Sequence, residues 1–302
     1  MAITRRKFIS VAAGSAFCAA GGVLAQQKSN GSKSEVFVAK GKAEKKIPEI
    51  IEKMGGMSRF VKPGARVLIK PNMSFPNPPE WGTGTSPEVV YTLAKSCLDS
   101  GAKRVIICDN TIRDPELCKE KTGIVSAVSG LKGAVVFIPK QDSMFVHKSD
   151  ERAKELTEVD IVKEVYNCDC LISVPVAKSH SAGGVSLNLK GFMGLVKDRG
   201  AYHREMDMHT AIAEQLYYIK PHLCIVDATR ALLDNGPAGP GKVAELNTFV
   251  AGIDPVAVDS YSVTLASWYG KTFEGRQVKH LKIASDLGFG NVESSMITET
   301  VI

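Results

Sequence analysis

The 302-residue chain holds no C-x-x-C pair and no ferredoxin-type cysteine run. It therefore lacks the usual ligand spacing of iron–sulfur and zinc-ribbon sites. It has no G-x-G-x-x-G and no Walker sequence, which removes the standard phosphate-cradling loops. Aromatics make up only 7% of residues, and no Lys/Arg run is interleaved with them; nucleic acid is not an expected partner. The one apolar N-terminal stretch, Val11 to Leu24, is short for a membrane span and diluted by glycine and alanine. No internal repeat is visible.

What is present is an ordinary globular balance, 44% hydrophobic and 23% charged. The length suits one large α/β domain or about two smaller ones. Net charge is +6, but Arg5, Arg6 and Lys7 supply three of those charges and the remainder carries only +3. Twin arginines followed by Phe8, a weak apolar run and Val23-Leu24-Ala25 resemble a cleavable twin-arginine export signal. An uncleaved basic anchor helix is the alternative. The expected division is a signal over residues 1–25, a polar linker over 26–34 and an α/β domain over 35–302. This reading makes the export machinery a partner and the periplasm the destination, with no stable membrane span after cleavage. Cys97, Cys108, Cys118, Cys168, Cys170 and Cys224 lie beyond the signal. They read as small buried hydrophobes, with one disulfide as an option. Cys168 and Cys170 would share a strand face, and a metal or cluster on that pair is the alternative.

Apolar runs predict strands at Glu35–Ala39, Arg66–Ile69, Lys103–Cys108, Gly133–Ile138, Leu171–Val176, His222–Val226 and Asn247–Ile253, with an edge strand within Asn291–Val301. Helical spacing or a leading proline predicts helices at Ala43–Met54, Pro87–Ser100, Pro115–Val128, Val159–Tyr166, Leu189–Val196, Thr210–Ile219, Val256–Tyr269 and Val278–Leu287. Met144–Glu155 reads as a charged surface excursion, and Leu233–Gly241 as a loop; either could mark a boundary. Alternating strands and helices with continuously apolar strands imply an α/β fold. Its sheet is expected to be largely parallel with helices on both faces, in one or two α/β lobes.

Several of these strands end abruptly in polar residues: Lys70 and Asn72, Asp109 and Asn110, Lys178 and His180, Asp227, Asp254. In a parallel sheet such ends share one edge, where ligands bind. Asp254 before Pro255 also suits a helix cap. Lys70, Lys178 and Lys190 are candidate holders of an anion, against the alternative of solvated surface charges. His180, with Asp109 or Asp227, could move protons; His203 and His209 could bind a metal, though they sit six apart, a poor spacing for one helix face. His222, at a strand start, reads as structural. Gly183 and Gly184 allow backbone to approach a ligand or form an ordinary turn, and Asn188 lies between them and Lys190.

Four segments, VLIKPN at 67–72, VPVAKSHSAGGVSLNLKGFMGLV at 174–196, IVDATRALLDNGPAGPG at 225–241 and GIDPVAVD at 252–259, together resemble the family catalogued as domain of unknown function 362. Many members of that family look like iron–sulfur proteins with an attached ferredoxin-like segment, which this chain lacks. The order His180, Gly-Gly, Lys190, His203 is also similar to nickel-pincer lactate racemases. That likeness implies a cofactor on Lys190, His180 as acid/base and His203 as metal ligand.

The expected function is binding of a small anionic molecule or cofactor at the strand-end edge, with His/Lys/Asp enzyme chemistry and metal assistance as an option. A periplasmic redox accessory or iron–sulfur carrier, and a hydroxy-acid epimerase of the pincer type, are the alternatives.

Overall fold

A computed structural model describes residues 32–302; the signal and most of the linker lie outside the described residues. In chain order the elements are β1 Ser34–Lys40, α1 Ala43–Lys53, β2 Arg66–Pro71, α2 Pro87–Asp99, β3 Arg104–Cys108, α3 Pro115–Lys121, α4 Ile124–Val128, β4 Ala134–Phe137, β5 Phe145–Ser149 and β6 Glu158–Val162. They continue with α5 Glu164–Asn167, β7 Cys170–Val174, β8 Val176–His180, β9 Gly184–Ser186, α6 Asn188–Gly191, α7 Ala201–Arg204, α8 Met208–Glu214, β10 Leu223–Leu232, β11 Val243–Gly252, α9 Pro255–Val263, α10 Lys279–Asp286 and β12 Ile297–Val301.

Ten strands form one sheet in the order β12-β1-β11-β10-β7-β2-β3-β4, with β8 beside β10 and β9 beyond it. Pairing is parallel from β10 through β7, β2 and β3 to β4, and between β1 and β12. Only β11 against its two neighbours, and β9 on β8, run antiparallel. The fold is α/β with a mostly parallel sheet.

Successive side chains of a strand point to opposite faces, and β2 shows the consequence. Val67 and Ile69 enter one core with α1, α2 and α4, while Leu68 enters the other with α6, α8, α9 and α10. Fully burying each such aliphatic side chain contributes about 1.5–3 kcal/mol, so both faces are held shut by helices. The parallel strands β2, β3 and β7 stop together: Ile69 pairs with Ile107, and Lys70 with Ser173. Their carboxyl ends form a single edge.

Six local expectations give way. The helix expected over 159–166 is β6 followed by the short α5, because Val159 and Ile161 are buried at strand spacing against β5. That pairing also turns the 144–155 excursion into half of a hairpin. The strand expected over 171–176 divides at Pro175 into β7 and β8, and β8 runs on through the polar Lys178, Ser179 and His180, all buried. The helix over 115–128 breaks at Gly123, whose φ of +73° is left-handed. The helix beginning near Val256 ends at Val263, and β10 runs on past Asp227 to Leu232.

Candidate functional site

The site begins with a buried pair. Lys70 at the end of β2 and Asp109 just after β3 lie on neighbouring strands, with Lys70 Nζ 3.1 Å from Asp109 Oδ1 and both side chains 1% exposed. Asp109 Oδ2 also accepts from Met73 N–H at 2.9 Å and Ser74 Oγ at 2.8 Å. Gly194 closes over the pair, since a Cβ there would overlap Asp109 Oδ1 and the end of Lys70. Burial pulls the Lys70 amine down from its ordinary value, and Asp109 opposes that pull. Lys70 is therefore spent inside the protein and does not face the cavity, contrary to its expected role as an anion holder.

Above this pair opens a cavity of about 250 Å³, lined by Ser74, Lys178, His180, Lys190, Arg199 and His203 among others, with Asp109 at its wall. Lys178 rises from β8; its Nζ donates to the Thr83 carbonyl at 2.6 Å and stands 5.6 Å over the Phe75 ring. Lys190 comes from α6, and its Nζ rests against the thioether of Met193 at 2.9 Å, a weak acceptor. Neither lysine has a carboxylate partner of its own. Burial pushes both amines down to about 7, with Arg199 lowering Lys190 further. Arg199 Nη1 donates to Ser74 Oγ at 3.1 Å; its buried Nη2 makes no hydrogen bond and lies 3.9 Å from Asp109 Oδ1. Three cationic side chains thus share a lining whose one carboxylate, Asp109, is already matched by Lys70. A larger cavity of about 320 Å³ beside Ser260, Glu274 and Glu299 has no lysine, arginine or histidine in its lining and offers no comparable chemistry.

His180 is fixed by its own turn. Its Nδ1 accepts from the N–H groups of Ala182 at 3.1 Å and Gly183 at 3.3 Å. A ring nitrogen that accepts carries no proton, so these contacts assign the proton of the neutral ring to Nε2. Burial first, then Lys190 and Lys178, push its pKa down to about 3. As placed, His180 is a neutral hydrogen-bond donor rather than the acid/base expected of it, and it has no free lone pair for a metal. Gly183 lies against the Lys190 stem, with Cε 3.7 Å from where a Cβ would sit, an ordinary contact that does not itself demand glycine. Gly184, at φ +75°, completes the reversal into β9.

His203 stacks on His180 with ring centroids 6.4 Å apart. His209 does not join it. It stacks instead on His280 of α10 at 5.8 Å, and the Nδ1 atoms of that second pair are buried without partners. Among the described residues no three His, Cys, Asp or Glu side chains gather as a metal-holding group. The six described cysteines are free, with burial pushing the thiols of Cys97 and Cys168 up to about 12.

The remaining candidates brace the site. Asn72 lines the cavity while its Oδ1 accepts from Val176 N–H. Asn110 donates to the carbonyls of Val196 and Lys197, and so holds the chain ahead of Arg199. Asp227 binds the N–H of Ser86 and Thr229, away from the cavity. Asn188 donates to Asp259 of α9, and the same carboxylate takes the N–H groups of Asn188 and Leu189 at 2.9 Å each. Arg199, Ser74, Asp259 and His280 were not anticipated. Of these only Asp259 carried a signal, its place in the GIDPVAVD segment.

Comparison with known proteins finds three likenesses. A thylakoid-associated protein of Synechocystis sp. is 28% identical over 217 residues, covering 70% of this chain, which spans only 65% of that relative's length. The lactate racemase apoprotein from Thermoanaerobacterium thermosaccharolyticum aligns with a TM-score of 0.46 and 13% identity, over 72% of this chain and 54% of the racemase. The profile of the family described as Domain of unknown function (DUF362) matches residues 67–264, and the chain belongs to that family.

Proposed function

We propose that this protein is an enzyme acting on a small organic anion, held at the strand-end cavity and worked on by its lysines. The observation that carries the reading is the excess of buried cationic groups there: Lys178, Lys190 and Arg199 around a carboxylate that Lys70 already neutralises. Buried cations without partners are costly, and an anionic ligand would remove that cost. A volume of about 250 Å³ lies just below the usual ligand-pocket range of roughly 300–1,000 Å³, which suits a molecule of a few carbons. The Arg199 guanidinium and the Nε2–H of His180 would hold anionic oxygens. Lys178 and Lys190, with amines near 7, can both hold and release a proton at neutral pH.

The test is proton exchange. A panel of short 2-hydroxy and 2-oxo acids is incubated with the protein in heavy water and followed by proton NMR. Loss of signal at a carbon beside the carbonyl or hydroxyl group with wild type, and not with Lys190→Met, supports the reading. Absence of exchange with every acid, together with no binding, overturns it.

One observation favours a second reading, the pincer-type epimerase. Lys190 and His203 both approach His180, which sequence spacing did not promise. The residues fit that group in part: Lys190 would carry it and His203 would face it, while His180, with Nδ1 occupied, would not ligate. The group, when bound, would supply a metal beside the substrate. Intact-protein mass above that of the processed chain, mapped to Lys190, would decide for it. No grouping of the described thiols supports a cluster carrier.

Export by the twin-arginine route belongs to the same proposal, on the Arg5–Arg6 pattern. Arg5→Lys with Arg6→Lys should leave the protein in the cytoplasmic fraction; periplasmic accumulation of that variant would contradict it.

A further inference from the structure

Resting on the reading of the cavity as an anion site, we infer that Lys190 is a nucleophile that condenses with the carbonyl group of a small 2-oxo acid. Four placements support this. Lys190 Nζ has only the Met193 thioether for a partner, so its lone pair is not committed to a strong contact. Lys178, by contrast, is tied to the Thr83 carbonyl and lies over the Phe75 ring. Gly183 leaves backbone rather than a side chain beside the Lys190 stem. The Arg199 guanidinium lines the same cavity, and its Nη2 makes no hydrogen bond and only a 3.9 Å approach to Asp109, so the group can pair with a carboxylate there.

These positions divide the work on one substrate. The carboxylate sits on Arg199, and the Nε2–H of His180 donates to the carbonyl oxygen. Lys190 Nζ, uncharged in an appreciable fraction at neutral pH because burial holds it near 7, forms a bond to the carbonyl carbon. The carbonyl oxygen gains the two amine protons, one relayed through Lys178, and leaves as water. Amine and ketone give imine and water; no electrons are gained or lost. A lysine made nucleophilic by burial beside another cation is a general route to such imines.

The experiment uses pyruvate as the 2-oxo acid, sodium borohydride to reduce any imine, and peptide mass spectrometry to place the product. Oxalate, close to pyruvate in size but a dianion that cannot condense, is titrated by calorimetry in parallel. The expected result is one reduced pyruvate on Lys190, protection by oxalate, and loss of the product in Lys190→Arg. Oxalate binding with no adduct, or with adducts scattered over other lysines, overturns the inference while leaving the anion site standing. Absence of both oxalate binding and adduct overturns the two together.

Discussion

Lys178 and Lys190 are unusual in what surrounds them: each is 7% exposed or less, and neither has a carboxylate of its own. Their folded pKa values near 7 fall below the unfolded lysine value of about 10.4. Between those limits the unfolded chain binds protons that the native protein has released, so stability rises with pH across that window. Denaturant midpoints of wild type should climb from pH 7 to pH 9. The climb should shrink in the Lys178→Met, Lys190→Met double variant; an equal climb in both would place the amines in ordinary surroundings. The Lys70–Asp109 pair calls for a different test. Asp109→Ala strands a buried ammonium and two donors, and breaking such a pair costs about 3–5 kcal/mol. Urea unfolding should show a loss of that size, and a loss under about 1 kcal/mol would mean the pair is not sealed from water. None of these partnerships could be read from residue type. Lys70 meets Asp109 only after β2 and β3 are side by side, and Arg199 lies in a polar stretch, KDRG, that looks like any surface turn.

At the scale of elements, α6 is too short to hold itself. Four residues cannot close the hydrogen bonds that stabilise an isolated helix, and the carboxylate of Asp259 takes the N–H groups of its first turn instead. Lys190 is the next residue, so Asp259 aims the amine. Asp259→Ala leaves three donors unmet at roughly 1–3 kcal/mol each. The expected outcome is a lower melting temperature and a shift of the pH at which Lys190 is half-acylated toward the ordinary lysine range. Lost stability with an unchanged labelling profile would make Asp259 structural only. The elements themselves were legible where one physical signal dominated. VLI at 67–69 and VIIC at 105–108 are apolar enough to demand burial on both faces, and Pro87 opens α2. Misreadings fell where two signals competed. In 178–180 the polar Lys-Ser-His sequence ended the expected strand, but the chain continues as a buried strand because Lys178 and His180 face a cavity and Ser179 Oγ accepts from Gly236 N–H. In 158–162 an apolar pattern compatible with a helix is a strand because β5 supplies its partner.

At the scale of the whole molecule, the parallel sheet explains why chemistry converges at all. Stopping β2, β3 and β7 in register puts Lys70, Asp109 and the start of β8 on a single edge, and the excursion through β8, β9 and α6 roofs it with Lys178, His180 and Lys190. The edge was foreseeable from strands ending in polar residues. The division of labour along it was not, because which lysine is neutralised and which faces the cavity depends on contacts made only after separate segments pack, such as Lys70 with Asp109 and Lys178 with the Thr83 carbonyl. No described helix is long and apolar enough to cross a membrane. The most direct test of the cationic cavity is calorimetric titration of oxalate into wild type between pH 6 and pH 9. The lysines lose their charge as pH rises through about 7, so affinity should fall at least tenfold across that range, about 1.4 kcal/mol, and should be abolished in the double lysine variant. Affinity that stays level with pH, or that survives the double substitution, would contradict the account.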